Sequence, residues 1–309
     1  MLDLKEVIFY VSDFLSDDDS FKLFRTCKKY SEILRKNKKW YKLKKWCDNY
    51  DYWLYKEYKI INFNFFTPYV KKEYDISIIP ETVTHLMFGY WFNQHLVDLP
   101  PRLTHLYFDY CFNQEVDHIL PETLNTLALD GCFNKSVDAL PPKLERLVFG
   151  YWFNRPVNNL PKTLKTLVFG ESFNKPVDHL PDSIEKLRFD HSFNQSVDKL
   201  PKNLDTVMFG NLFNKSVDNL PINLKHITFG RDFNQKVDKL PSNIKQIKFG
   251  KKFNQELNSL PVNLTSLIFV YDSEFSKSLV NVPKTIKYIK LGYRFRGNAS
   301  LDTTLGQWL

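Results

Sequence analysis

The chain of 309 residues is long enough for one large or two ordinary domains, and its 43% hydrophobic and 16% aromatic residues can fill a sizeable core. Its 43 basic residues are mixed with 35 acidic ones, so the net charge of +8 does not by itself indicate a nucleic-acid partner. Four cysteines are too few for a disulfide-bonded scaffold. Such a low count is typical of a protein in a reducing compartment.

Residues 1–45 have the pattern of two amphipathic helices. One apolar stripe follows the spacing i, i+3, i+4, i+7 through Leu4, Val7, Ile8 and Val11. The stretch SDDDS at 16–20 offers N-cap residues for a second helix, on which Leu23, Cys27, Tyr30 and Leu34 recur. The opening residues carry no basic leader and no long apolar run. We therefore expect no signal peptide, no membrane span and a cytoplasmic or nuclear location.

The order of these features resembles an F-box, through the stretch FLSDDDSFKLFRTCKKYSEIL at 14–34 and the tryptophan that follows it. The Leu-Pro that usually opens this family is Leu2-Asp3-Leu4 here. The resemblance implies that the front docks onto the Skp1-type adaptor of a cullin ubiquitin ligase. The adaptor contacts that it implies are Leu4, Val7, Ile8, Phe14, Leu15, Leu23, Cys27 and Trp40. The alternative is that these helices only cap the domain that follows.

Residues 46–78 are dense in aromatic side chains. A repeat domain needs an altered first unit to cover its exposed end. We therefore expect this segment to be a linker and the N-terminal cap.

Residues 79–298 repeat with a period of about 20. The pair Phe-Asn occurs nine times between Phe92 and Phe253, and a proline keeps the same interval from Pro80 to Pro283, which gives eleven turns. Such a period predicts a solenoid. We expect residues 299–309 to form a C-terminal cap or tail.

Each turn predicts one short strand. In the turn that starts at Pro141, Leu147 and Phe149 alternate with outward-facing residues, as in a half-buried strand. The return path is too short, and too interrupted by proline, for a long helix. The predicted fold is therefore α/β. A small helical front is followed by a parallel sheet of about eleven short strands with an extended convex side.

The Phe-Asn pair has a structural interpretation. Stacked turns place Phe on Phe as a spine, and Asn can hydrogen-bond backbone groups of the bend and of the next turn. Glycines that follow the strands, such as Gly150 and Gly170, predict a positive φ angle. Recurring aspartates before the Leu-Pro turns, from Asp117 to Asp238, are expected to accept local backbone hydrogen bonds.

The whole pattern, LxxLxF followed by FN and LP, resembles a short leucine-rich repeat. More narrowly it resembles the FNIP repeat, best through FNRPV at 153–157 and FNKPV at 173–177. F-box proteins as a family present substrates through a C-terminal repeat domain. The combination with FNIP repeats resembles proteins of social amoebae and of large viruses that infect amoebae.

No motif of catalysis occurs in the sequence. It lacks a glycine-rich phosphate loop, a nucleophile elbow and HExxH, so we expect no enzyme activity, cofactor or metal site. Cys111 and Cys132 share one slot of consecutive turns, where a disulfide is geometrically possible and free thiols suit a reducing compartment. His85 and His105 also share a slot, and we interpret them as contact residues.

The binding residues are expected at positions that the repeat leaves free. The positions five and seven residues after each proline face outward on the concave side, and aromatic residues follow the early strands. Aromatic residues of this kind are favoured interface anchors. The predicted substrate contacts are His85, Met87, Tyr90, Trp91, His105, Tyr107, Tyr110, Arg146, Tyr151 and Trp152.

Three functions remain open from sequence alone. The leading one is substrate recognition in a Skp1-cullin-F-box-type ubiquitin ligase, with an unknown protein substrate and with neither a membrane nor nucleic acid as a partner. The second is a stand-alone repeat scaffold with a helical cap. The third is a polyanion binder, through the late lysines Lys245, Lys248, Lys251, Lys252, Lys287 and Lys290.

Overall fold

The computed structural model describes Ile79, residues 81–90 and 92–296, and the backbone of two strands before them. In these parts of the chain, thirteen strands form one sheet, and each strand pairs with its neighbours in sequence. The strands are β1 (Tyr50–Tyr55), β2 (Ile60–Phe65), β3 (His85–Phe88), β4 (His105–Phe108), β5 (Thr126–Leu129), β6 (Arg146–Phe149), β7 (Thr166–Val168), β8 (Lys186–Arg188), β9 (Thr206–Met208), β10 (His226–Thr228), β11 (Gln246–Phe249), β12 (Ser266–Phe269) and β13 (Tyr288–Lys290).

Strands β3 to β13 confirm the predicted parallel sheet of about eleven short strands. The register keeps each repeat position in one column, so that Leu147 pairs with Leu167 and Leu167 with Leu187. Each coil returns through turns and bends, and the described residues between 81 and 296 contain no helix. The β-turn at the proline of each coil is closed by a hydrogen bond to the proline carbonyl, as from Leu144 N–H to Pro141 (3.2 Å).

Strands β1 and β2 extend the sheet beyond the repeats. They are antiparallel to each other, with Tyr50 opposite Phe65, and β2 pairs parallel with β3. An uncovered first repeat would expose a row of backbone donors and acceptors. Both strands lie within the aromatic segment 46–78, for which sequence predicted a cap but no strands.

The core confirms the predicted phenylalanine spine and shows that it is double. One column holds the phenylalanine at or just after the end of most strands, with Leu129 in its place on β5, and the other holds the phenylalanine of the Phe-Asn pair. Ring centroids of Phe149 and Phe153 lie 3.7 Å apart within one coil, and those of Phe153 and Phe173 lie 6.1 Å apart between coils. All three rings are at most 2% exposed. Burial of one such side chain contributes about 1.5–3 kcal/mol.

The asparagines form the predicted ladder between coils. The Oδ1 of Asn154 accepts a hydrogen bond from the backbone N–H of Asn174 at 3.0 Å, and Asn174 does the same for Asn194. The pattern holds without a break from Asn93 to Ser276. Asn174 is exposed, and Asn154 and Asn194 on either side of it are half-buried. The phenylalanines fill the interior, and the asparagines of the ladder lie at its margin, where they are exposed or half-buried.

A second polar ladder, which the sequence analysis missed, lies two residues after each proline. The Thr163 hydroxyl donates to the carbonyls of Pro142 and Leu144, at 2.7 and 2.8 Å, in the preceding coil. Thr123, Ser183 and Thr285 donate in the same way, and the amides of Asn223 and Asn243 replace them in later coils. Most coils therefore carry a short side chain with a donor in this slot, whereas Arg102 and Lys143 occupy it in two others.

The prediction of a positive φ at the glycines after the strands is wrong for Gly150, Gly170, Gly210, Gly230 and Gly250. Among the described glycines, Gly131 alone has a positive φ, of 49°. Glycine is favoured at these positions by the close approach of neighbouring coils. A Cβ on Gly170 would collide with the carbonyl group of Gly150. The constraint is local to the coils that hold glycine, because Asp190 carries a Cβ in the same slot, where its carboxylate accepts a hydrogen bond from the N–H of His191 at 2.8 Å.

Candidate protein-binding surface

The outward-facing positions of β3–β6 form a continuous surface, here called the early sheet face. His85, His105, Thr126 and Arg146 stand in one column, and Met87, Tyr107, Ala128 and Val148 stand in the next. The alternate residues Leu86, Leu106, Leu127 and Leu147 are buried behind them. The period of two therefore separates core residues from half-buried outward residues on these strands, as predicted, except that Thr126 is itself buried at 4% exposure.

The two histidines are held as a stacked pair. Their ring centroids lie 4.1 Å apart with the planes inclined by 9°. The Thr104 hydroxyl donates to the Thr84 carbonyl at 3.0 Å and also lies 2.9 Å from Nδ1 of His105. These two contacts orient the His105 imidazole on the strand. The rings therefore have fixed edges toward solvent.

Tyr107 lies beside this pair with its side chain half-buried and its hydroxyl oxygen buried. Its ring centroid lies 6.4 Å from that of His105. Burial raises the pKa of the hydroxyl well above its ordinary value, and the nearby charge of Arg146 lowers it only in part. Tyr107 therefore keeps its proton at neutral pH.

Aromatic side chains also line the loops that follow the early strands. Tyr90 stacks on Tyr110 with centroids 5.0 Å apart. Two coils further on, Tyr151 and Trp152 pack edge to face at 4.6 Å, with 41% and 49% of their surfaces exposed. Large aromatic groups that remain exposed in a rigid loop can bury substantial area against a partner.

The predicted site residues fall into three groups. His85, Met87, His105, Tyr107 and Arg146 share the early sheet face, and Tyr90, Tyr110, Tyr151 and Trp152 lie in the adjoining loops. Trp91 lies outside the described residues, as do all eight predicted adaptor contacts between Leu4 and Trp40. Their role in binding stays a prediction.

The cysteine pair is reduced in this structure. Cys111 and Cys132 are both free and half-buried. Burial raises the pKa of the Cys111 thiol, and the neighbouring Cys132 and Asp109 raise it further. The environment therefore does not favour a reactive thiolate.

The recurring aspartates bridge coils, contrary to the expectation of local capping. Asp138 accepts a hydrogen bond from the Asn159 amide of the next coil at 3.2 Å, and Asp198 accepts from Asn219 at 3.0 Å. The local turn contact is made by serine, since Ser136 Oγ accepts from the Asp138 N–H.

No three histidine, cysteine, aspartate or glutamate side chains in the described part of the chain lie close enough to hold a metal ion. The same part contains no helix that is long and apolar enough to cross a membrane.

Sequence reasoning also missed a groove at the N-terminal ends of the late strands. It has a volume of about 900 Å³ and lies between residues 203 and 287. Its lysines and asparagines were visible as repeat positions, but they are far apart in sequence. Only the stacking of coils places them side by side.

A parallel sheet with one short strand per coil and a helix-free return defines this protein as a leucine-rich-repeat-like solenoid. The FNIP Repeat model matches residues 92–132, 133–172, 156–190, 173–212, 213–252 and 236–272, more than half of the chain. The chain therefore belongs to the FNIP repeat family.

One solved structure supports the fold. The chain is 33% identical to CroV588, described as a novel circular LRR protein structure, with a TM-score of 0.60 over 70% of this chain and 41% of that one. It therefore spans well under half the length of that protein. YopM from Yersinia enterocolitica WA-314 is 21% identical over 71% of this chain and 50% of that one, with a TM-score of 0.46. None of the curated proteins compared with the chain matches it.

Proposed function

We propose that the chain is a substrate-recognition subunit of a Skp1-cullin-F-box-type ubiquitin ligase and acts inside the cell. Residues 1–45 bind the adaptor, and the early sheet face with its aromatic loops binds a protein substrate. The role is binding without catalysis or a cofactor. The F-box-like stretch at 14–34 and membership of a solenoid family that is consistent with protein interaction support this proposal.

The observation that carries the substrate half is the exposed aromatic set on a rigid support. Trp152 and Tyr151 leave about half of their surfaces uncovered, while the backbone that carries them is bonded to the preceding coil, as from Trp152 N–H to Gly131 (2.9 Å). Anchors that are fixed before binding lose little conformational entropy on association.

A second candidate, a stand-alone scaffold with a capped front, has its own support. Strands β1 and β2 continue the sheet before the first repeat. Segments in front of the repeats can therefore belong to the solenoid and need not serve a separate partner.

Adaptor capture tests the leading proposal. The full chain should retain a purified Skp1-type adaptor, and Ile8→Asp with Leu23→Asp should abolish retention, because both changes place a charge on an apolar helical stripe. Ile8→Leu with Leu23→Ile is the matched control and should retain it.

The separately expressed segment 46–309 distinguishes the two candidates. The ligase proposal expects this segment to fold without the front, as judged by a cooperative melt. If the parent chain never binds an adaptor, or if 46–309 fails to fold, the scaffold with a helical cap takes its place.

A further inference from the structure

The groove at the N-terminal ends of β9–β13 carries an excess of positive charge. The residue just before each strand forms a charged column, which in these coils reads Asp205, Lys225, Lys245, Thr265 and Lys287. Lys284 of the last coil lies in the same groove. We call the surface formed by Lys225, Lys245, Lys284 and Lys287 the basic groove.

Ion pairing along this column stops in the middle of the solenoid. Lys165 pairs with Glu145 of the preceding coil at 3.4 Å, and Lys225 pairs with Asp205 at 2.6 Å. Within residues 81–296, Lys245, Lys284 and Lys287 have no acidic partner. All three are exposed. Their ammonium groups are therefore available to an anionic partner.

Asp205 is the last acidic residue that pairs with a lysine of this column. Burial raises the pKa of this carboxyl, but hydrogen bonds from Lys225 and Thr206 outweigh burial, so the pKa lies below its ordinary value. Asp205 therefore stays ionised at neutral pH and keeps Lys225 occupied. Removing this carboxylate would release a further ammonium group into the groove.

A column of asparagines runs along the same groove, from Asn203 through Asn223 and Asn243 to Asn263. The amide nitrogen of Asn223 donates to the Lys202 carbonyl at 3.0 Å, and Asn243 donates to Ile222 in the same way. These bonds fix the amide planes but use only one donor each. The remaining N–H and the side-chain oxygen can pair with the N–H and C=O groups of a peptide.

The other late lysines do not combine an unpaired ammonium group with neighbouring asparagine amides. Lys251 and Lys252 pair with Asp272 and Asp232, at 3.1 and 2.9 Å. Lys248 and Lys290 stand on the outward face of β11 and β13, away from the asparagines. The six late lysines therefore do not form one polyanion-binding patch.

We propose that the basic groove binds an acidic peptide segment in an extended conformation. Peptide carboxylates pair with Lys245, Lys284 and Lys287, and the asparagines pair with the peptide backbone. Four steps between neighbouring strands of about 4.8 Å give the groove a length of about 19 Å, which matches about six extended residues. The groove lining contains no aromatic side chain on which a nucleic-acid base could stack.

The test measures fluorescence anisotropy of a labelled glutamate-rich peptide with the full chain at low salt, against a glutamine-rich peptide of equal length. The parent chain should prefer the acidic peptide. Lys245→Glu with Lys287→Glu should weaken binding by about tenfold or more, since two attractions become repulsions. The matched control is Lys248→Glu with Lys290→Glu, which changes the net charge equally on the same two coils and should have much less effect.

Asp205→Asn provides the opposite expectation, because release of Lys225 should strengthen binding. The proposal is overturned if the acidic peptide does not bind, if both double variants lose binding equally, or if oligouridylate binds more tightly through the same lysines. The last outcome would assign the groove to nucleic acid. None of these measurements involves the adaptor, so they are independent of the ligase proposal.

Discussion

At the residue scale, the asparagine of the Phe-Asn pair acts as an acceptor. The Oδ1 of Asn174 accepts from the Asn194 N–H at 3.0 Å and from the Gln195 amide at 2.9 Å. A carboxylate could accept the same bonds. A whole column of carboxylates about 4.8 Å apart would repel itself, however, and this accounts for a neutral amide in nine consecutive coils.

Replacement of Asn174 tests this account. Asn174→Ala should lower the free energy of unfolding by about 0.5–1.5 kcal/mol, the usual net contribution of a hydrogen bond. Asn174→Asp keeps the acceptor and should unfold close to the parent in urea. Equal losses in both variants would show that the amide nitrogen, and not Oδ1, matters.

At the scale of the single coil, stability comes from contact with the coils on either side. Phe173 is fully buried, and its ring centroid lies 3.7 Å from that of Phe169 in its own coil. The ring centroids of Phe153 and Phe193 in the neighbouring coils each lie 6.1 Å away. A repeat that contacts only its neighbours folds by nearest-neighbour coupling. A defect in the middle should therefore uncouple the two halves.

Phe173→Ala is the corresponding prediction. The cavity should cost about 3–5 kcal/mol and broaden or split the urea transition followed by circular dichroism. Ile222→Ala, at a side chain 59% exposed, is the control and should stay within about 0.5 kcal/mol of the parent. A Phe173→Ala variant that retains a single, sharp, barely shifted transition would contradict the coupling.

The sheet and the phenylalanine spine could be predicted because the same sequence pattern recurs in successive turns. The period of two at Leu147 and Phe149 fixed the strands, and the regular asparagine fixed the ladder. Gly170 was misread because sequence does not reveal how closely two coils approach. Strands β1 and β2 were missed because they precede the repeat, and the basic groove was missed because Lys245 and Lys287 are neighbours only in space.

At the scale of the whole molecule, two surfaces of different chemistry lie on one solenoid. The early sheet face offers aromatic anchors with ordered polar neighbours, whereas the late coils offer lysine. Aromatic residues dominate interface energetics more often than lysine does. We therefore expect a folded protein substrate to depend on the early coils.

Capture of such a substrate by the full chain provides the test. Tyr90→Ala with Trp152→Ala should reduce the recovered amount more than Lys248→Ala with Lys290→Ala, while circular dichroism shows an intact fold for both. The opposite ranking, with strong dependence on salt, would place the substrate site on the outward lysines of the late strands.

The uniform register between coils has a consequence for how such a chain can change its length. Because each internal coil presents the same bonding edge to both sides, insertion or removal of one 20-residue unit, such as 181–200, leaves two compatible edges to rejoin. Each such event would shift the basic groove relative to the early sheet face by one strand spacing, about 4.8 Å. The molecule is in this sense a ruler with discrete graduations. Related chains could set the distance between two bound partners by counting units, without redesign of either surface.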